Sequence, residues 1–162
     1  MAHPVTNFER VIEFNKTAGL INDNTPLIGY ARIPKDEGEI KSCLKLIDEE
    51  VGELKFALYD PSIRDVADAL TDILYVVYGM GARFGINMDR AFELVHENNM
   101  SKFCKTEEEA KQSAKNIGQW VPNVGIRKSE FGDLWIVYNK DTKKIQKPDS
   151  FVPVDLTSAI SQ

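Results

Sequence analysis

Residues 48–72 read DEEVGELKFALYDPSIRDVADALTD, two amphipathic helices separated by a short turn at Asp60-Pro61. On the first helix Ile40, Leu44, Ile47, Val51, Leu54 and Leu58 alternate steps of four and three, which is one apolar stripe at helical period. Glu49, Glu50 and Glu53 belong to this helix; Asp65, Asp68 and Asp72 belong to the next. Residues three or four apart share a helical face. Glu50 with Glu53, and Asp68 with Asp72, therefore form two acidic stripes that border the core and can face each other. Such stripes repel unless a cation lies between them, and oxygen-only donors suit a hard divalent ion, Mg²⁺ or Mn²⁺. For a generic helix pair a solvated acidic face is the commoner explanation, and Lys41, Lys45 and Lys55 stand near enough to balance charge. Asp65 has a structural role open to it at a helix start, and Glu49 points outward. The set Glu50, Glu53, Asp68 and Asp72 is harder to explain that way, because no arginine is placed opposite it.

Working outward, the helix starts are marked by capping boxes or their aspartate variant at Thr6-x-x-Glu9, Ser62-x-x-Asp65 and Thr106-x-x-Glu109, with a looser version at Asp36-x-x-Glu39. The pattern predicts helices over 6–18, 37–59, 62–84, 87–99 and 106–117, with stops near Gly19, Gly85 and Gly118. Residues 20–36 read as an irregular loop. LWIVYNKDTKKIQK, 134–147, reads as a β-hairpin turning at Asn139–Thr142. KNIGQWVPNVGIRK, 115–128, carries no clear signal, and PDSFVPVDL is a proline-bearing tail. The expected fold is mainly α: an antiparallel helix bundle with a small C-terminal β-hairpin. Residues 1–105 are expected to form a helical catalytic domain, with 106–162 an extension packed on it.

The chain has 162 residues, 43% of them hydrophobic, and a formal net charge of −5, which supports a core and gives no basic footprint for duplex nucleic acid. Cys43 and Cys104 make neither a disulfide framework nor a zinc spacing and read as reduced, cytoplasmic-type cysteines. No apolar run suits a signal peptide or a membrane span. Asn99 and Lys102 follow the fourth helix; on composition alone they are a helix end whose lysine meets the dipole. Glu93-x-x-His96 lacks the second such pair that a di-iron bundle needs, His3 being the other histidine. Tyr75, Tyr78 and Trp120 have the surface to stack on a base, although aromatics on such helices more often pack in the core.

EEVGE at 49–53 resembles the E-E-x-x-E motif of the all-α nucleoside triphosphate pyrophosphohydrolases, a superfamily that includes MazG-like proteins, dimeric dUTPases and phosphoribosyl-ATP pyrophosphohydrolases. DALTDILYVVYG at 68–79 resembles its second motif, and HENNMSK at 96–102 and IQKPDSFVPVDL at 145–156 resemble the MazG-like and phosphoribosyl-ATP branch. The similarity covers residues 5–103 and, more loosely, 130–156. The second motif departs from E-x-x-D: Ala69 takes the glutamate place, so the acidic pair is Asp68 with Asp72 or Asp65 with Asp68, the first keeping the register of the helix that follows.

The resemblance implies Mg²⁺-dependent hydrolysis of a nucleoside triphosphate to monophosphate and pyrophosphate, as nucleotide-pool housecleaning. Phosphoribosyl-ATP hydrolysis in histidine biosynthesis and a non-catalytic nucleotide- or metal-binding bundle are the alternatives. It implies metal ligation by Glu50, Glu53, Asp68 and Asp72, water activation by Glu49 or Glu50, and substrate contacts from Asn99 and Lys102. It also implies a homodimer or homotetramer; the apolar YVVYGMG run offers a surface for that contact, and loop 20–35 is placed to form a lip over the site.

Overall fold

A computed structural model describes residues 4–60 and 62–161. Its elements are α1 (Asn7–Thr17), α2 (Glu37–Tyr59), α3 (Ile63–Arg83), α4 (Met88–Met100), α5 (Glu107–Ile117), β1 (Val124–Lys128), β2 (Trp135–Asn139) and α6 (Thr157–Ile160). The protein is mainly helical with a small two-stranded hairpin, as the residue pattern predicts, and the five long helices lie within a residue of their expected bounds. Pro61, half of the expected turn, and His3 lie outside the described residues. Among the described residues no helix is long and apolar enough to cross a membrane.

The caps explain those bounds. Thr6 and Glu9 exchange both bonds of a capping box: Glu9 N–H donates to Thr6 Oγ1 at 3.1 Å and Thr6 N–H to Glu9 Oε2 at 2.7 Å. Ser62 and Thr106 accept the N–H groups of Asp65 and Glu109. The looser signal at Asp36 works by half. Asp36 accepts from Gly38 N–H at 2.8 Å, but Glu39 turns away to Arg83 Nε at 3.2 Å.

The chain divides into two compact units, residues 1–92 with 156–162, and residues 93–155. In the first, α2 and α3 pack antiparallel: Glu39 near the start of α2 meets Arg83 at the end of α3. α1 lies across α3, pairing Phe14 with Tyr75 and Phe8 with Tyr78 at ring-centroid distances of 5.6 and 5.9 Å. Tyr75 and Tyr78 of YVVYGMG thus meet α1 within the chain, while Tyr75 stays exposed at 37%. Gly85 ends α3 at φ +75°. A side chain there would strike Pro26 Cβ and the Leu27 carbonyl, so glycine is needed both for the left-handed turn and for the close approach of loop 20–35. That loop is held at this end of α3 by Gly29 N–H to Gly85 O at 2.8 Å and Arg32 N–H to Phe84 O at 3.0 Å. The lip expected over the acidic residues of the same chain is therefore pinned at the opposite end of α3, about 24 Å along the axis from Asp68. The last residues return to this unit, where Ala31 N–H bonds Ile160 O and Asn87 N–H bonds Ala159 O, both at 2.9 Å.

In the second unit α5 covers the hairpin, and Cys104, Ala110 and Val137 form a closed core with Ile117, Val124 and Trp135 against it. β2 pairs antiparallel with β1, Val124 facing Asn139 and Lys128 facing Trp135. The hairpin exists, but its partner strand differs from the one the sequence suggested. The turn at 139–142 does form, because Asn139 Oδ1 accepts from the N–H groups of Asp141 and Thr142. Among the described residues the chain after it adds one bridge to β2, Tyr138 to Ile145. The true partner, VGIRK, lies in the stretch that carried no clear signal.

Candidate active site

Because α2 and α3 are antiparallel, the C-terminal half of α2 faces the N-terminal half of α3, where the carboxylates lie. Between them runs an open groove of about 700 Å³ lined by Glu49, Glu50, Glu53, Phe56, Asp65 and Asp68, among others. Glu50 is half-buried, and Glu53 and Asp68 are exposed. Burial lifts the Glu50 carboxyl above its ordinary range, and the charges of Glu53, Asp72, Glu49 and Asp68 lift it further. The order is informative. After Glu53 on its own helix, the strongest push comes from Asp72 across the helix pair; Asp68 also contributes, and Asp65 is not among the causes. Asp72 is half-buried and sits beyond the groove lining, whereas Asp65 lines the groove and gives its backbone N–H to the Ser62 cap of α3.

Glu49, on the groove lining, is paired with Lys45 Nζ at 3.1 Å. Among the described residues Glu50, Glu53, Asp68 and Asp72 make no ion pair, so their mutual repulsion is uncompensated by the protein. Oxygen-only carboxylate donors fit Mg²⁺ or Mn²⁺ in kind. In position they are splayed: among the described residues no three carboxylate, histidine or cysteine side chains close around one point. Glu53 and Asp68, being exposed, have the freedom to swing inward.

The carboxylates stand in the first compact unit. Asn99 and Lys102 belong to the second, where they meet each other: Lys102 Nζ donates to Asn99 Oδ1 at 2.6 Å, one helical turn apart. His96 is exposed, and Trp120 is largely so. The sequence reading passed over Asp60 as a turn residue, yet it ends α2 and lines the groove.

The family model for phosphoribosyl-ATP pyrophosphohydrolase matches residues 11–99, more than half of the chain. The chain belongs to that family, within the all-α pyrophosphohydrolase superfamily whose motifs α2 and α3 carry. It is also similar to an uncharacterized protein of Acanthamoeba polyphaga mimivirus, 38% identical over 102 residues, which is 62% of this chain. The chain spans 40% of that relative's length.

Proposed function

We propose that the protein hydrolyses a nucleoside triphosphate between the α and β phosphates, releasing monophosphate and pyrophosphate, and so clears the nucleotide pool of the cytoplasm. The observation that carries this reading is the open groove that Glu50, Glu53 and Asp68 line inside the stretch the family model matches, with the charge of Asp72 also bearing on the half-buried Glu50. Glu50, Glu53, Asp68 and Asp72 would hold the divalent ions. When bound, Mg²⁺ supplies charge neutralisation for the phosphate oxygens and the leaving pyrophosphate. Glu50, or Glu49 released from Lys45, would orient and deprotonate the attacking water; a carboxyl lifted toward neutrality is suited to that work. Lys102 would add charge at the phosphates, and Asn99 would position the substrate. Residues 1–105 carry this chemistry, with 106–162 as an accessory extension. The family model's own substrate supports a second reading, phosphoribosyl-ATP hydrolysis in histidine biosynthesis. Ala69 in place of a motif glutamate supports a third, a non-catalytic binding bundle.

The working form in this proposal is a homodimer or homotetramer. Leu44, Phe56, Leu58, Leu70 and Leu74 of α2 and α3 are exposed, Phe56 at 75% and Leu58 at 61%, an apolar surface that a second copy would cover. Chromatography of the products tests the bond cleaved: monophosphate with pyrophosphate is expected, and diphosphate with orthophosphate contradicts it. Light scattering tests the assembly, and the mass of a single chain at micromolar concentration contradicts it.

A further inference from the structure

At the far end of α3 from the carboxylates, loop 20–35, the start of α2 and Arg83 enclose a second pocket of about 340 Å³. Unlike the groove's, its charges are mixed, with a cationic excess. Arg32, Lys35 and Arg83 line it together with Asp36 and Glu39. Both carboxylates are engaged locally. Asp36 caps α2 through Gly38 N–H at 2.8 Å, and Glu39 takes Arg83 Nε at 3.2 Å. Arg32 donates from Nη2 only to the neutral Asn24 carbonyl, at 2.6 Å, and neither Arg32 nor Lys35 makes an ion pair among the described residues. Asn22, also on the wall, accepts from Asn24 N–H through Oδ1 at 2.9 Å. The pocket therefore presents three cations against two carboxylates, with Arg32 and Lys35 in no ion pair among the described residues, beside the Asp36-capped start of a 23-residue helix. The volume lies at the lower end of small-molecule sites, larger than a lone phosphate needs.

We propose that this pocket is a metal-independent binding site for a phosphomonoester dianion of nucleoside-monophosphate size, held by Arg32 and Lys35. Arg83 lies fifteen residues beyond Asp68, about 22 Å along α3, so the site is separate from the carboxylate groove of its own chain. The two sites differ in their need for metal. Without a divalent ion the groove repels phosphate, whereas the cationic pocket does not depend on one. Calorimetric titration with adenosine monophosphate and with inorganic phosphate, in EDTA at low salt, separates them. Saturable binding is expected, tighter for the monophosphate ester and weakened by added salt. Arg32→Gln with Lys35→Gln changes two exposed side chains; it should leave the melting temperature near that of the wild type and weaken binding about tenfold or more. Glu53→Gln should leave binding intact whether or not the groove is catalytic. No saturable binding of either anion at millimolar concentration, binding untouched by the double substitution, or binding lost in Glu53→Gln would each overturn the assignment.

Discussion

Glu50→Gln should stabilise the metal-free protein and destabilise the metal-loaded one relative to the wild type. The substitution keeps shape and removes one charge from a group already crowded by Glu53, Asp72, Glu49 and Asp68. A like-charge pair one helical turn apart costs about 0.2–0.5 kcal/mol. Taking Glu53, Asp72 and Asp68 at similar size gives a relief of about 1 kcal/mol, or about 2–4 °C in melting temperature for a chain of this length. The gain should shrink as salt screens the charges. Its pH dependence has a definite sign. The folded state holds the Glu50 carboxyl above its ordinary range, so folding favours the protonated form. The penalty is absent in acid and sets in as pH rises through the raised value, and the two proteins should converge at low pH. In Mg²⁺ the order reverses. A ligand at a hundredfold excess over its Kd stabilises by about 2.7 kcal/mol, a gain the substituted protein should lose. Thermal melting followed by circular dichroism, in EDTA and in Mg²⁺, reads both effects. A lower midpoint for Glu50→Gln in EDTA at low salt, or equal stabilisation of both proteins by Mg²⁺, would refute the electrostatic picture of the groove.

Asp72→Asn should collapse turnover while Asp65→Asn spares it; steady-state kinetics showing the reverse would make Asp65 and Asp68 the working pair. Lys102→Ala should leave melting nearly unchanged, since a half-buried lysine whose head group is held by one bond to the exposed Asn99 adds little stability, and lower kcat/KM by about one to a few orders of magnitude. Glu109→Ala should cost about 1 kcal/mol at neutral pH, because Glu109 takes Ser150 Oγ at 2.7 Å and Lys105 N–H at 2.9 Å. Those bonds hold its carboxyl below the ordinary range, so the stabilisation is present above that range and lost as pH falls through the lowered value; an acid-unfolding midpoint unmoved by the substitution would count against it. Cys104 is fully buried with its thiol pushed up to about 11, and burial also raises Cys43, so iodoacetamide at neutral pH should label neither until the protein unfolds.

The helices were legible because their signals are local. The Thr6, Ser62 and Thr106 caps and the stripe from Ile40 to Leu58 act within one turn of the chain. The acidic stripes were legible for the same reason, since residues such as Glu50 and Glu53 share a face by spacing alone. What failed depended on contacts distant in sequence. VGIRK is a five-residue strand interrupted by Gly125, and only its pairing with Trp135–Asn139 and its cover by α5 make it one. Tyr75 and Tyr78 meet Phe14 and Phe8 of α1, and loop 20–35 is anchored through Gly85; neither is written in the periodicity of the segments themselves. The turn of Glu49 toward Lys45 depended on a competition between partners that spacing leaves open.

The most direct measurement is Mg²⁺-dependent pyrophosphate release by the wild-type protein and by Glu53→Gln, across a panel of nucleoside triphosphates that includes phosphoribosyl-ATP. The account predicts that at least one compound yields pyrophosphate and the matching monophosphate in equal amounts, that EDTA abolishes the reaction, and that a folded Glu53→Gln protein has lost it. Pyrophosphate released equally by wild type and Glu53→Gln, or no release from any of these compounds by the folded protein in Mg²⁺, would contradict it.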